Sequence, residues 1–202
     1  MLQLSKKQTA WAVTAAALAA ACLVVRSKTK QAEAENPPAG EFITVDGVKL
    51  HYVRRGAGPV VVLLHGNGAT SLDFELSGLI DMLAREHTVI AFDRPGFGYS
   101  DRPRSTVWTP AEQGALLGKA LKALHVDGAV VVGHSWGTLV ALAMALDNRE
   151  LVRGLVLMGG YYYPSPRLDV VMMSGPAIPV LGDLMRFTVS PLVSRLLWPG
   201  AL

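Results

Sequence analysis

Hydrophobic positions along the chain come in distinct patterns, and their order predicts an alternation of strands and helices. Three continuous runs, PVVVLLHG (59–66), TVIAFD (88–93) and AVVVG (129–133), have the character of strands buried on both faces. A fourth strand is predicted in LVRGLVLMGG (151–160). Before them, EFITVDGVKLHYVRRG places apolar-alternating runs on both sides of Asp46-Gly47, the dipeptide of a tight hairpin. Leu72, Leu76, Leu79, Ile80 and Leu83 recur at helical spacing. Thr109-Pro110-Ala111-Glu112 announces the next helix with an N-cap, a first-turn proline and a capping-box glutamate, and its apolar face is Leu117, Leu121 and Leu124. A small-residue helix follows Ser135. The expected fold class is therefore α/β, a mostly parallel sheet entered by an antiparallel hairpin, with its core over residues 41–160. From Tyr161 onward the chain is rich in Pro and Met and offers short amphipathic helices without a clear strand, the expected start of a helical cap over 161–202.

The N-terminal pattern is different. Thr9–Val25 is uncharged and apolar, preceded by Lys6 and Lys7 and followed by Arg26, Lys28 and Lys30. A spanning helix needs about 17–25 apolar residues and a signal-peptide core about 7–15, so this run sits on the border. Residues 1–30 are thus expected to be an uncleaved membrane anchor, a cleaved export signal, or a leader lipidated at Cys22; a cytoplasmic location is the lesser expectation. The basic flanks leave the orientation open. QAEAENPPAG (31–40) reads as a linker.

Charge and composition narrow the function. Lys6, Lys7, Arg26, Lys28 and Lys30 against Glu33 and Glu35 account for the whole net charge of +3, leaving the rest neutral. No nucleic-acid footprint is expected on a neutral body, so the expected partner is a small-molecule substrate. The single cysteine, Cys22, excludes internal disulfides and cysteine-based metal clusters. No His/Asp/Glu spacing suggests a metal, and no cofactor is expected. GALLGKA (114–120) lacks the remaining residues of a phosphate loop, and Gly96-Phe97-Gly98 lacks the third glycine of a dinucleotide fingerprint.

The chemistry points to Gly133-His134-Ser135-Trp136-Gly137, set between a buried strand and a buried helix. A sharp strand-to-helix turn forces its central residue into a strained conformation, and neighbours two positions away must lack side chains. That accounts for Gly133 and Gly137, whereas a serine that merely caps a helix would not need both. Such a turn lifts the Ser135 hydroxyl above the sheet at a helix N-terminus, the place of a nucleophile.

HGNG (65–68), DRPGFGYSDRP (93–103) and GHSWG (133–137) together resemble the α/β-hydrolase superfamily, in its serine-nucleophile branch, over about residues 41–202. The resemblance implies attack of Ser135 on a carbonyl, with the resulting oxyanion bound by backbone N–H groups. Carried over by motif, these are the N–H groups of Trp136 and Asn67. His65 lies in the oxyanion loop, Gly66 and Gly68 let its backbone approach the substrate, and His134 adjoins the nucleophile. Asn67 and Trp136 also resemble the halide-gripping pair of haloalkane dehalogenases. Those enzymes and the related epoxide hydrolases use an aspartate nucleophile, so Ser135 argues for cleavage of an ester, lactone, amide or similar carbonyl compound, an esterase-like activity. Two other readings stay open: dehalogenase- or haloperoxidase-like chemistry on the same scaffold, and a non-catalytic hydrolase-like binding module.

The superfamily order is serine, acid, histidine, yet His51, His65, His87, His125 and His134 all precede Ser135. His51, His87 and His125 read as surface residues at element ends. Asp169 follows the last strand, but an acid without its histidine orients nothing. The chain is accordingly expected to stop inside the cap, before the last strands and the rest of the triad, and to be inactive as it stands.

Overall fold

A computed structural model describes residues 5–163 and the isolated positions 182, 185, 188 and 190. Residues 38–163 form one compact unit, and the helix before them belongs to another.

That helix, α1 (Lys6–Glu35), opens with a capping box: Gln8 N donates to Ser5 Oγ at 3.3 Å and Ser5 N to Gln8 Oε1 at 2.8 Å. It buries none of its residues. It also runs through 31–35, half of the segment expected to be a linker. Ala and Glu favour helix there, Gln31 bonds Glu35 across one turn at 2.8 Å, and Pro37-Pro38 stops propagation only after Asn36.

In the compact unit, β1 (Glu41–Val45) and β2 (Val48–Arg55) form the hairpin around Asp46-Gly47. The three continuous runs become β3 (Val60–Leu64), β4 (Thr88–Phe92) and β5 (Ala129–His134), and the last strand is β6 (Val152–Met158). The sheet order is β1-β2-β4-β3-β5-β6, with β2 antiparallel to both β1 and β4 and every pairing beyond β4 parallel. Alternate residues of the central strands serve opposite faces, which is why the runs are apolar throughout. Val62, Leu64, Ile90, Phe92 and Val131 pack with Leu117, Leu121, Val140 and Met144 from α4 (Pro110–Ala123) and α5 (Gly137–Asp147). Val61, Leu63, Val89, Ala91 and Val132 pack with Phe74 and Ile80 on the other face.

Thr109 caps α4 by accepting from Glu112 N at 3.2 Å, and Leu117 and Leu121 are fully buried, with Leu124 packed at the margin. The helix expected over Leu72–Leu83 differs. It is two short pieces, α2 (Ser71–Leu76) and α3 (Leu79–Leu83), broken at Gly78, whose φ of +74° ends α2 in the left-handed region. The break turns Leu72 and Leu76 outward, 50% and 78% exposed, and Phe74 and Ile80 take the core positions. His51, read as a surface residue, is only 3% exposed. Its partner is a carboxylate 42 residues downstream, as described below.

Candidate active site

The C-terminal ends of β3, β4 and β5 lie side by side, and the loops leaving them build the site. After β5 the chain turns directly into α5. Ser135 occupies that turn with φ of +50°, a left-handed conformation that a side chain bears at a cost of order 1 kcal/mol or more. The turn is fastened on both sides. Ser135 N donates to Met158 O of β6 at 2.8 Å, and Thr138 donates to Ser135 O through its backbone N–H (3.1 Å) and its hydroxyl (2.6 Å).

Gly133 and Gly137 are required by close approach. A Cβ on Gly133 would lie 2.7 Å from Gly137 O and Thr138 Cα, and one on Gly137 would collide with Leu64 O and His65 O. The HGNG loop meets the turn at Gly66, where a Cβ would stand 3.0 Å from Ser135 Cβ and 3.3 Å from His134 O. Gly68 is left-handed and faces open space. Asn67 is exposed, and Trp136 is half-buried at the start of α5.

His65 is a structural residue in a fixed tautomer. Its Nε2 accepts from Arg94 N at 3.0 Å, so Nδ1 carries the proton and donates to Gly66 O at 2.7 Å. Burial, reinforced by the charge of Arg94, pushes its pKa down to about 4, which keeps it neutral near pH 7. With its lone pair committed, it is no base for Ser135.

Arg94, part of the DRPGFGYSDRP motif but given no role by the sequence, is the hub of the site. It is fully buried immediately after β4. Its Nε donates to His65 O at 2.7 Å, Nη1 to Gln113 Oε1 at 3.2 Å and Nη2 to Asn67 Oδ1 at 2.9 Å. Its guanidinium carbon also lies 4.6 Å from the ring centres of both Phe97 and Trp136. No carboxylate pairs with it among the described residues. Burial lowers its pKa to about 9, so the group remains charged at neutral pH. The one sequence signal for it is a basic residue placed directly after a buried strand.

Asp93 ties the other side of the same loop. Its carboxylate accepts from Ser71 N (2.8 Å), His51 Nδ1 (2.8 Å) and Tyr99 N (3.1 Å). Ser100 Oγ donates to Asp93 O at 2.7 Å and accepts from His51 N at 2.9 Å. Burial alone would raise the Asp93 pKa, but the hydrogen bonds from His51, Ser71 and Tyr99 outweigh it and hold the carboxyl below its ordinary range. The DRPGFGYS segment is thus a knot joining β2, α2 and the site.

The Ser135 hydroxyl makes no hydrogen bond among the described residues. His134 is exposed beside Gly66, His87 faces Leu83 O, His125 is exposed and His51 is bound to Asp93. None of the five histidines pairs with Ser135. Asp169 and most of the segment read as a cap lie outside the described residues.

Comparison with known proteins agrees with this architecture. The family model for the alpha/beta hydrolase fold matches residues 59–193. Haloalkane dehalogenase 2 of Mycobacterium tuberculosis is 31% identical over 134 residues, 64% of this chain and 46% of the relative. The 2-hydroxymuconate semialdehyde hydrolase of Pseudomonas sp. (strain CF600) is 34% identical over 159 residues, 74% of this chain and 54% of the relative. Among solved structures, the epoxide hydrolase CorEH superposes with a TM-score of 0.67 at 27% identity, covering 78% of this chain and 58% of that one. The chain spans about half the length of the curated relatives it matches. These relatives are hydrolases, and the chain belongs to the α/β-hydrolase fold family.

Proposed function

We propose that Ser135 is the nucleophile of a hydrolase acting on a small carbonyl compound, an ester, lactone or amide, through an acyl-enzyme. The observation that carries this reading is the φ of +50° at Ser135, a strained non-glycine residue on a turn that two glycines make possible. The adjacency of Gly66 supports the assignment of the Asn67 and Trp136 backbone N–H groups to the oxyanion, with Gly68, His65 and His134 completing the surrounding loop and turn. The aspartate nucleophile implied for dehalogenases and epoxide hydrolases is replaced by serine at 135, which favours acyl chemistry over displacement at a saturated carbon.

A serine hydroxyl is a poor nucleophile without an aligned base. The 202-residue chain should therefore hydrolyse a short-chain activated ester near the background rate, with Ser135→Ala changing little. Joining a C-terminal segment that carries the acid and histidine should produce activity, and Ser135→Ala should then lower kcat by about 10³-fold or more. Full activity of the joined protein carrying Ser135→Ala would sink the nucleophile assignment. Ser135-dependent turnover by the 202-residue chain alone would sink the account of the base.

α1 is proposed as a membrane anchor. It is long and apolar enough to cross a bilayer, buries none of its residues, and carries Lys6 and Lys7 at one end of the apolar stretch and Arg26, Lys28 and Lys30 at the other. Deleting residues 1–35 should move the protein from the membrane fraction to the soluble one. Equal partition of the two forms would count against an anchor.

A further inference from the structure

We propose that Arg94 is a positioning residue acting through Asn67: it holds the Asn67 amide oxygen inward and so turns the amide nitrogen into an added donor for an anionic group at the Ser135 turn. The inference rests on the reading of that turn as the reaction centre, but its observations are separate.

An amide side chain can face a partner with either end. Arginine removes the choice, because a guanidinium has donors only. With Arg94 Nη2 donating at 2.9 Å, the atom facing it must be Oδ1, and Nδ2 must point away. Nδ2 makes no hydrogen bond among the described residues, and Asn67 is exposed. The residue belongs to the loop whose Gly66 packs against Ser135. The guanidinium itself cannot swing aside to satisfy another group. Nε is held by His65 O, Nη1 by Gln113 Oε1, and the rings of Phe97 and Trp136 each lie 4.6 Å from the guanidinium carbon. Gln113 is held in turn by donating from Nε2 to Trp108 O at 3.0 Å. The orientation of one exposed amide is thereby set by a buried chain of bonds reaching to α4. The result is a loop mouth that offers hydrogen-bond donors and no acceptor from Asn67, which suits a carboxylate or a developing oxyanion and disfavours a neutral donor.

The test uses the 15N-labelled full chain in detergent micelles, with acetate as the probe and the Asn67 side-chain amide as the reporter, identified by its loss in Asn67→Asp. Acetate should shift the Asn67 amide and the Trp136 backbone N–H together. Arg94→Lys keeps a donor-only partner and should retain the response, with affinity within about threefold. Arg94→Met keeps the packing against Phe97 and Trp136 but offers no donor, and should weaken acetate by about tenfold or more, the worth of one hydrogen bond to a charged group. Should the methionine variant fail to fold, Arg94→Leu, which likewise offers no donor, serves in its place with the same expected loss. Asn67→Asp, whose carboxylate would pair with Arg94, should stay folded and lose the acetate shift at the Trp136 backbone N–H. An Asn67 amide that ignores acetate in the parent protein, or that responds equally after Arg94→Met, overturns the proposal. Ser135→Ala should keep the acetate response, so a failure of the nucleophile assignment is read separately from a failure of this one.

Discussion

Gly137→Ala should abolish stable folding, at a cost above about 4 kcal/mol, in the range reserved for changes the structure cannot absorb. The added Cβ would run into the carbonyl oxygens of Leu64 and His65 at the end of β3. Both obstacles are backbone, Leu64 held by the pairing of β3 with β4 and β5 and His65 O by Arg94 Nε, so no side-chain rotation relieves the clash. Relief requires α5 to move off the sheet, which would take Ser135 with it and strip Val140, Ala141 and Met144 from the core. Gly154→Ala is the matching control. Its Cβ would meet nothing closer than Val130 Cγ2 at 3.7 Å, an ordinary contact, and the change should stay within about 0.5 kcal/mol. Denaturant titration followed by circular dichroism separates the two. A Gly137→Ala protein as stable as the parent would mean that α5 does not press on β3 as described.

The second large effect is loss of stability in acid, beginning well above the range in which carboxylates titrate. His65 holds off its proton until about pH 4, whereas in the unfolded chain it takes one near the ordinary 6.5. The unfolded state therefore binds more protons between those values, and stability falls as the pH drops through this window. The gap corresponds to about 3 kcal/mol at most, an order-of-magnitude figure for a group this well buried. Asp93 acts in a separate, lower window. Its folded pKa lies below the ordinary carboxylate value, so its contribution is present above that value and lost as the pH falls through the folded one. His65→Gln keeps an acceptor for Arg94 N and removes the titrating ring. It should be less stable than the parent at pH 7 and show a flat profile from pH 7 to about 4.5, with the lower step intact. Unfolding measured by denaturant across this range decides the matter. A steep decline surviving in His65→Gln would assign the effect elsewhere.

Features that depend on neighbours in sequence were legible in the sequence. The hairpin at Asp46-Gly47, the three runs that became β3, β4 and β5, and the cap of α4 by Thr109 follow from residues a few positions apart. The Ser135 turn was legible for the same reason, since Gly133, Ser135 and Gly137 lie within five positions. Arg94 was not, because its acceptors come from His65 and Asn67 in the loop after β3 and from Gln113 in α4, two segments remote from it in sequence. His51 was misread because nothing near it in sequence announces a buried carboxylate; the bond to Asp93 exists only once β2 lies beside β4. The break at Gly78 was hidden by leucines at helical spacing, two of which face solvent. The extension of α1 through residues 31–35 was masked by a composition that suits a spacer and a helix alike.

The sheet order carries a consequence for how the chain assembles as it leaves the ribosome. β2 and β3 are consecutive in the chain but are not neighbours in the sheet, because β4 lies between them. The hairpin and β3 are therefore made before the strand that fills the gap between them. That strand is followed at once by Asp93-Arg94, a pair that acts as a two-sided latch: Asp93 bonds His51 of β2, and Arg94 bonds His65 just past the end of β3. β5, made later still, pairs with the other side of β3 and places Ser135 beside the loop that Arg94 and Asp93 fasten. The HGNG loop is thus built wholly from chain that precedes Ser135.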